Sequence, residues 1–236
     1  MEEVEAYNYL NVFRETVSTS GRWQAGSRYT GRNHKGLIEE KLLALKLQVE
    51  RWFLLSTQRG TATVSTNYRH TYGYGAFGFI STNAVAYAGS LSESALFEYF
   101  EDVFAKGSNM RRHYAGSTQI REINSIVREH SGFQVDNLTD EYGVSLQRLR
   151  TDFGMVDLVW DPVLDSKFVN YGFTFDAKPK QTKMRYMAND EVGSRKFRMN
   201  YDVHTPGQDG KSDELMMDVG FQLTNEETAG YLYKST

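Results

Sequence analysis

Apolar residues recur with the period of an α-helix over residues 37–56. The spacing alternates between four and three residues, which places the side chains on one stripe of a helix. The residues of this stripe are Ile38, Leu42, Leu45, Val49 and Trp52. Leu43, Leu47 and Leu54 extend the apolar surface to a second face. We predict a helix about 30 Å long, either an ordinary core helix or one that packs on a sheet and also meets neighbouring subunits.

Two shorter helices are predicted downstream. The first, LSESALFEYFEDVFAK, starts at a capping box of Ser90 and Glu93 and stops at Gly107. The second, TQIREINSIVREH, has Ser117 as its N-cap and stops at Gly132. The side chains expected to face inward are Leu96, Phe97, Phe100, Val103, Phe104, Ile120, Ile123, Ile126 and Val127.

Strand signals dominate the second half of the chain. RHYAG, VSLQRL, GMVDLVW and YGFTF are strand candidates. KFRMNYDV and LMMDVGF alternate apolar and polar residues, which predicts an antiparallel pair with one solvated face. Residues 58–89, rich in Gly, Thr and Tyr, have no sustained period and predict a long loop with one short extended piece, GFIST. Helices followed by strands, without βαβ alternation, indicate an α+β fold.

The segment before the long helix, residues 7–33, cannot form a core of its own. It is rich in β-formers, Gly and Arg, and its few apolar side chains are Leu10, Val12, Phe13, Val17 and Trp23. An ordered arm of this composition must rest on the remainder of the chain or on a neighbouring copy. If the arm rests on a neighbouring copy, deleting residues 1–33 should abolish the association of copies and leave the remaining core folded, whereas global unfolding would mean that the arm packs on its own chain.

Composition narrows the class of protein. At 236 residues, with 40% hydrophobic and 24% charged residues, the chain is globular and forms one large domain or two small ones. A net charge of −3 argues against a dedicated nucleic-acid binder. The absence of cysteine excludes disulfides and thiolate metal sites. No apolar run reaches the ~18 residues of a membrane span, and the acidic N-terminus does not read as a signal peptide.

Candidate chemistry is weak throughout the sequence. The five histidines include no pair at helical metal-binding spacing. The aspartates at 152, 157, 161 and 165 lack the pattern of a calcium loop and are expected to be solvated or to cap turns. YGYGAFGF matches a dinucleotide-binding motif in its glycines only, because no strand precedes it in a βαβ unit. We therefore expect no catalytic residue, no cofactor and no metal.

A basic stretch runs from Lys178 to Arg198 and contains seven Lys or Arg residues against Asp190 and Glu191. Three interpretations remain open. The residues solvate the edges of strands, face phosphate groups, or pair with an acidic patch of a neighbouring copy.

Taken in order, several segments resemble the major capsid proteins of tailed bacteriophages with the Hong Kong ninety-seven-type (Johnson) fold. The segments are NVFRETVSTSG, EEKLLALKLQVERWFLLS, LSESALFEYFEDVFAKGS, AGSTQIREI, FGMVDLVWDPVL and ELMMDVGFQLTNEETAGYL. The resemblance covers about residues 8–232 and rests on their order and spacing. Family members carry a further N-terminal arm, so the resemblance places Met1 inside the extended loop. The resemblance assigns no residues of this chain to the Lys and Asn of the family's covalent cross-link, and we do not predict that cross-link.

The resemblance implies a domain layout. Residues 1–33 would be the second half of an extended loop that lies over an adjacent subunit. Residues 34–79 would form the spine helix of a peripheral domain with the loop that follows it. Residues 80–180 would form the axial domain, and 181–236 would return as strands to the peripheral domain.

The resemblance also implies a function. The chain would self-assemble into hexamers and pentamers and then into an icosahedral shell around phage DNA. It would touch the DNA only nonspecifically, accept a decoration protein, bind no membrane, and assemble in the host cytoplasm before residing in the virion. The alternatives are an encapsulin-like nanocompartment shell and an unrecognised enzyme or ligand-binding α+β domain.

Subunit contacts are expected on the arm. Trp and Arg dominate the hot spots of protein interfaces, and the arm holds four such candidates, Arg14, Arg22, Trp23 and Arg28.

Overall fold

The computed structural model describes residues 7–26, 33–65, 68–129, 134–139, 145–178, 181–189 and 193–235. The chain divides into two compact units. Unit 1 comprises Met1–Tyr74 and Met184–Phe221, and unit 2 comprises Gly75–Lys183 and Gln222–Thr236.

The predicted long helix is confirmed in unit 1 as α2, His34–Leu55. It starts at Asn33, whose side-chain oxygen accepts a hydrogen bond from the Gly36 N–H at 2.7 Å. Leu45, Val49 and Leu54 are buried. The second apolar face that the sequence indicates is divided: Leu43 and Leu47 are 60% and 44% exposed, whereas Leu54 is buried.

The arm rests on its own chain over β1, Asn11–Ser20. Its ten residues pair antiparallel with β14, Gly210–Leu223, from Asn11 opposite Val219 to Ser20 opposite Gly210. Of the two supports that the sequence allows for the arm, its own chain or a neighbouring copy, β1 uses its own chain. The physical reason is that β14 offers a ladder edge and apolar side chains, which give Val17 a buried position at 3% exposure.

A four-stranded sheet in unit 1 has the order β1-β14-β10, and β13 also pairs with β14. KFRMNYDV is not the regular strand that its alternation predicts, because β13 covers only Arg198–Asn200. Strand β14 lacks the expected solvated face, since Leu215 and Met216, which point to opposite faces, are both buried. The remaining elements of this part of the chain are α1 Gly21–Gly26, β2 Gly60–Ser65, β3 Tyr68–Tyr72, β10 Thr182–Tyr186, β11 Ala188–Asn189 and β12 Gly193–Ser194.

Unit 2 is built on a seven-stranded mixed sheet with the order β4-β15-β9-β5-β8-β7-β6. The pairs β4/β15 and β5/β8 are parallel and the other pairs are antiparallel. The predicted strand GMVDLVW is confirmed as β8. The strand bounds are β4 Ala84–Tyr87, β5 Met110–Ala115, β6 Gln134–Thr139, β7 Ser145–Thr151, β8 Gly154–Trp160, β9 Tyr171–Asp176 and β15 Gly230–Lys234.

Helices α4, Glu93–Phe104, and α5, Ser117–Glu129, pack on one face of this sheet. The core between them is aliphatic and aromatic, and includes Leu96, Phe100, Val103, Ile123, Ile126, Val156, Leu158 and Leu232. On the opposite face, Phe77 of the short helix α3, Ala76–Phe79, contacts the rings of Phe173 and Tyr231.

Two predicted helix starts are displaced. Ser92, not Ser90, caps α4, and its side chain accepts a hydrogen bond from the Ala95 N–H at 3.3 Å. The preceding Leu91 is buried and its N–H bonds to Glu122, which holds it outside the helix. Ser117 is the first residue of α5 rather than its N-cap. The predicted stop at Gly132 lies outside the described residues.

The predicted loop over residues 58–89 contains β2, β3, α3 and β4. These elements have four to six residues each, too short for a periodic signal. The limits of the units also differ from the predicted domains. Residues 75–79 and 222–236 belong to unit 2, because β15 pairs with β9 and β4 instead of returning to the sheet around α2.

Candidate subunit-contact surfaces

The four contact candidates on the arm differ in position and exposure. Arg14 lies on β1 with its side chain 59% exposed and its guanidinium 3.7 Å from Glu214. Arg22 is exposed and Trp23 is half-buried, and both belong to α1. The Trp23 N–H bonds to Ser20 Oγ at 3.2 Å, which ties α1 to the end of β1. Arg28 lies outside the described residues.

A polar cluster joins β1 to the start of α2 and to β14. His34 Nε2 lies 2.9 Å from the buried carboxylate of Asp213, and His34 Nδ1 lies 2.9 Å from Thr19 Oγ1. Burial by itself would raise the pKa of Asp213. Hydrogen bonds from the Asp202 N–H and His34, with Lys211 nearby, outweigh burial and hold that pKa below its ordinary value. The cluster thus links the end of β1, at Thr19, to the first residue of α2 and to β14.

A second polar contact joins the middle of β1 to α2. Lys41 Nζ and Gln48 Nε2 donate to the two carboxylate oxygens of Glu15 at 2.9 and 2.7 Å. These two hydrogen bonds lower the pKa of Glu15. The strand is thus held to α2 by side chains as well as to β14 by its backbone.

An apolar groove of about 280 Å³ lies beside α2 in unit 1. Val49 and Phe53 of α2 line it together with Met184 and Met217, and Lys46 and Glu50 complete its lining. Methionine side chains adapt to the shape of a partner. The groove has the dimensions of a site for a side chain rather than for a large ligand.

A further apolar surface lies around β13. Phe197, Tyr201 and Val203 are 45%, 67% and 51% exposed, although their alternation predicts a buried row. Sequence reasoning missed this surface because a period of two shows that side chains share a face, not that anything covers it.

Buried polar groups in unit 2 have structural partners. Arg111 and Asp176 form a fully buried ion pair at 3.2 Å, and Arg111 also donates to the Val103 carbonyl at the end of α4. His113 lies 2.7 Å from Thr174 Oγ1, and burial lowers its pKa to about 4. Within the described ranges, no three His, Asp or Glu side chains come together as a metal site. These groups stabilise the fold and offer no open reaction centre.

A family model described as SU10 major capsid protein matches residues 2–236. The chain belongs to the SU10 major capsid protein family. It is a structural subunit of a viral capsid and a component of the virion. The predicted resemblance and the predicted α+β capsid fold are both confirmed. No curated protein matches the sequence.

Solved structures place this SU10-family capsid protein within a wider fold group. The holo-SrpI encapsulin complex from Synechococcus elongatus matches with a TM-score of 0.67 at 12% identity, over 95% of this chain and 73% of that one. Mycobacterium phage Patience matches at 0.62 and 12% identity, over 97% and 71%. The satellite phage P4 procapsid, including size determination (Sid) protein, matches at 0.57 and 8%, over 100% and 74%. At these identities the likeness shows the fold alone.

The part of this capsid protein that the structure describes contains no helix long and apolar enough to cross a membrane.

Proposed function

We propose that this capsid protein self-assembles into hexamers and pentamers that close into an icosahedral shell around phage DNA. The observation that supports this most strongly is the family match over residues 2–236, which extends across both units. An assembly subunit needs large contact surfaces, and obligate interfaces bury about 2,000 Å² or more. The exposed apolar side chains of α2 and of the residues before and after β13 provide such surface. The subunit would have no enzymatic role.

We assign unit 1 to the peripheral domain and unit 2 to the axial domain. The long helix α2 lies in unit 1, as a spine helix would. The helices and sheet of unit 2 supply the compact body expected of an axial domain. The assignment predicts that some of the exposed residues of unit 2 contribute to contacts within a capsomer.

The arm would contribute contacts with its tip rather than with its strand. Strand β1 is paired within the chain. In this part of the arm, the residues that would contact a neighbouring subunit are therefore Arg22 and Trp23 of α1 and the exposed guanidinium of Arg14. Arg28 is proposed as a further contact on its sequence alone.

The remaining proposals concern DNA, a decoration protein and the site of assembly in the cell. Contact with DNA would be nonspecific and salt-sensitive, because an acidic chain has no dedicated basic domain. A decoration protein could bind the outer surface of the shell. Assembly would take place in the host cytoplasm, before the protein becomes part of the virion.

Light scattering after size-exclusion chromatography, together with electron microscopy, tests the shell. Particles of uniform size, many times heavier than one chain, are expected. A strictly monomeric protein at high concentration, with the complete gene product expressed, would contradict the proposal. Trp23→Ala, with Trp160→Ala as a matched control on unit 2, tests the arm tip.

A nanocompartment shell is the second candidate, supported by the likeness to the SrpI encapsulin at a TM-score of 0.67. The contents of purified particles separate the two functions. Nucleic acid inside the particles supports the phage capsid, whereas a single co-purifying enzyme supports the nanocompartment.

A further inference from the structure

Strand β13 lies at an open edge of the sheet in unit 1. It pairs with β14 on one side, and among the described strands none pairs with its other side. The apolar side chains before and after it, Phe197, Tyr201 and Val203, are about half exposed or more. An open strand edge beside large exposed apolar side chains is typical of a surface that another chain covers.

The backbone next to these side chains is hydrogen-bonded to β14. Met199 and Asn200 pair with Leu215 and Glu214, and the Val203 N–H donates to the Ser212 carbonyl at 2.7 Å. A backbone held in this way loses little conformational entropy when a partner binds.

Asp202 adds an unusual backbone feature between Tyr201 and Val203. Its φ is +60°, and it is the single non-glycine residue with positive φ in the described part of the chain. The N–H of Asp202 donates at 3.0 Å to the buried carboxylate of Asp213, which holds this conformation. Non-glycine residues in this region of backbone space are uncommon and concentrate at functional sites. The residues on either side of it, Tyr201 and Val203, are the two most exposed apolar residues of this segment.

The exposed charges next to this surface are two cations and one carboxylate, that of Asp202, which is 65% exposed and lies 2.8 Å from His204 Nδ1. Lys196 and Arg198 are exposed, and Lys196 Nζ lies 5.2 Å from the centre of the Tyr186 ring. We name the group Lys196, Phe197, Arg198, Tyr201 and Val203 the β13 surface. A partner for it has to combine acidic groups with an apolar contact.

Helix α4 has these properties. Its sequence contains no Lys or Arg, and Glu98, Glu101 and Asp102 are exposed on it. Like charges three and four residues apart on a helix repel each other, and a basic partner relieves this repulsion. An open depression of about 460 Å³ on α4 is lined by Phe97 among these acidic residues, with Glu93 and Ser94.

We propose that the β13 surface of one copy docks on helix α4 of a second copy. Tyr201 and Phe197 pack against Phe97, while Lys196 and Arg198 pair with Glu98 and Glu101. The inference rests on the proposed function, because it requires that copies of the chain assemble. It names one specific contact within that assembly.

A charge exchange tests the contact. Lys196→Glu with Arg198→Glu is expected to lower the yield of particles about tenfold or more, because like charges then face each other across the contact. Glu98→Lys with Glu101→Lys is expected to do the same. The chain that carries all four substitutions is expected to recover particles. Arg128→Glu on α5 is the matched control and is expected to assemble normally.

A cross-link supplies a second readout, because the chain has no natural cysteine. Particles of Tyr201→Cys/Glu98→Cys, treated with a short bifunctional thiol reagent, are expected to yield covalent dimers and larger species. Tyr201→Cys/Arg128→Cys should yield none.

The outcomes separate the contact from the proposed function. Unmodified chains that form no particles would contradict the proposed function itself. If unmodified chains assemble and the four-substitution chain does not recover, or if both cysteine pairs cross-link alike, the shell remains and the β13–α4 contact is wrong.

Discussion

Replacing Arg111 tests whether the buried ion pair of unit 2 determines the stability of this unit. The side chain is fully buried, 3.2 Å from Asp176, and it donates to the carbonyls of Val103 at 3.0 Å and of Lys106 at the end of α4. Arg111→Met keeps much of the apolar stem but leaves the carboxylate without its counter-charge and the two carbonyls without their donor.

The expected cost is about 3–5 kcal/mol, the range for breaking a buried pair by removing one partner. In a chain of this size each kcal/mol lowers Tm by about 2–4 °C, so Tm should fall by about 10 °C. Arg112 is the neighbouring arginine and is exposed. Arg112→Met should shift Tm by no more than about 2 °C.

Thermal unfolding of the unassembled subunit, followed by circular dichroism and calorimetry, measures both variants. Adding Asp176→Asn to Arg111→Met should recover part of the loss, because the second change removes the unpaired charge. Equal Tm values for the Arg111 and Arg112 variants would refute the reasoning, since they would mean that the buried pair contributes nothing.

Three further predictions concern the arm, a helix cap and pH. Val17→Ala should destabilise the free subunit by about 2 kcal/mol through lost burial, whereas Val12→Ala on the exposed side of the same strand should cost under about 0.5 kcal/mol; equal denaturation midpoints would mean that β1 does not pack on its own subunit. Ser92→Ala should lower the free energy of unfolding by about 1 kcal/mol, and Ser90→Ala should leave it almost unchanged in the same assay. The reverse order would mean that α4 starts at Ser90, as the sequence predicts. Because the pKa of His113 falls from 6.5 to about 4 on burial, the unfolded chain takes up this proton first, so stability should drop by about 3 kcal/mol as pH falls from 6.5 to 4. Urea midpoints across this range should lose that slope in His113→Gln, and an unchanged slope would exclude His113 as its source.

Local patterns in the sequence predicted much of the secondary structure. Helix α2 follows from the spacing of apolar residues that ends at Trp52, and Gly154–Trp160 is the strand expected from GMVDLVW. Both predictions use only the spacing of apolar residues within one short segment, so no knowledge of distant segments is needed.

Pairing between distant segments could not be predicted in this way. Nothing in NVFRETVSTS identifies β14 as its partner, so the sequence allowed the arm to rest either on its own chain or on another copy. The same limit applies around β13, where Tyr201 belongs to an apolar row that stays exposed. Alternation gives the orientation of side chains, whereas the surfaces available to cover them depend on the complete fold.

The composition of the arm is a weak predictor of which residues are free to contact another subunit. Trp and Arg are typical of interfaces, but the structure gives Arg14 a partner in Glu214 within its own chain. The exposed surface around β13 contains no Trp, and the alternation of its residues does not show that they stay exposed. Its positive φ at Asp202 depends on Asp213, 11 positions away.

The pairing of β1 with β14 has a consequence for the order of events during synthesis. Asn11 of β1 pairs with Val219, so β1 cannot form its full pairing until Val219 has been synthesised. At about 5–20 residues per second, translation of the intervening segment takes roughly 10–40 s. Contacts so distant in sequence also form slowly. A nascent chain on the ribosome therefore carries β1 without its partner strand, and each subunit acquires its full set of surfaces only after β14 has been made.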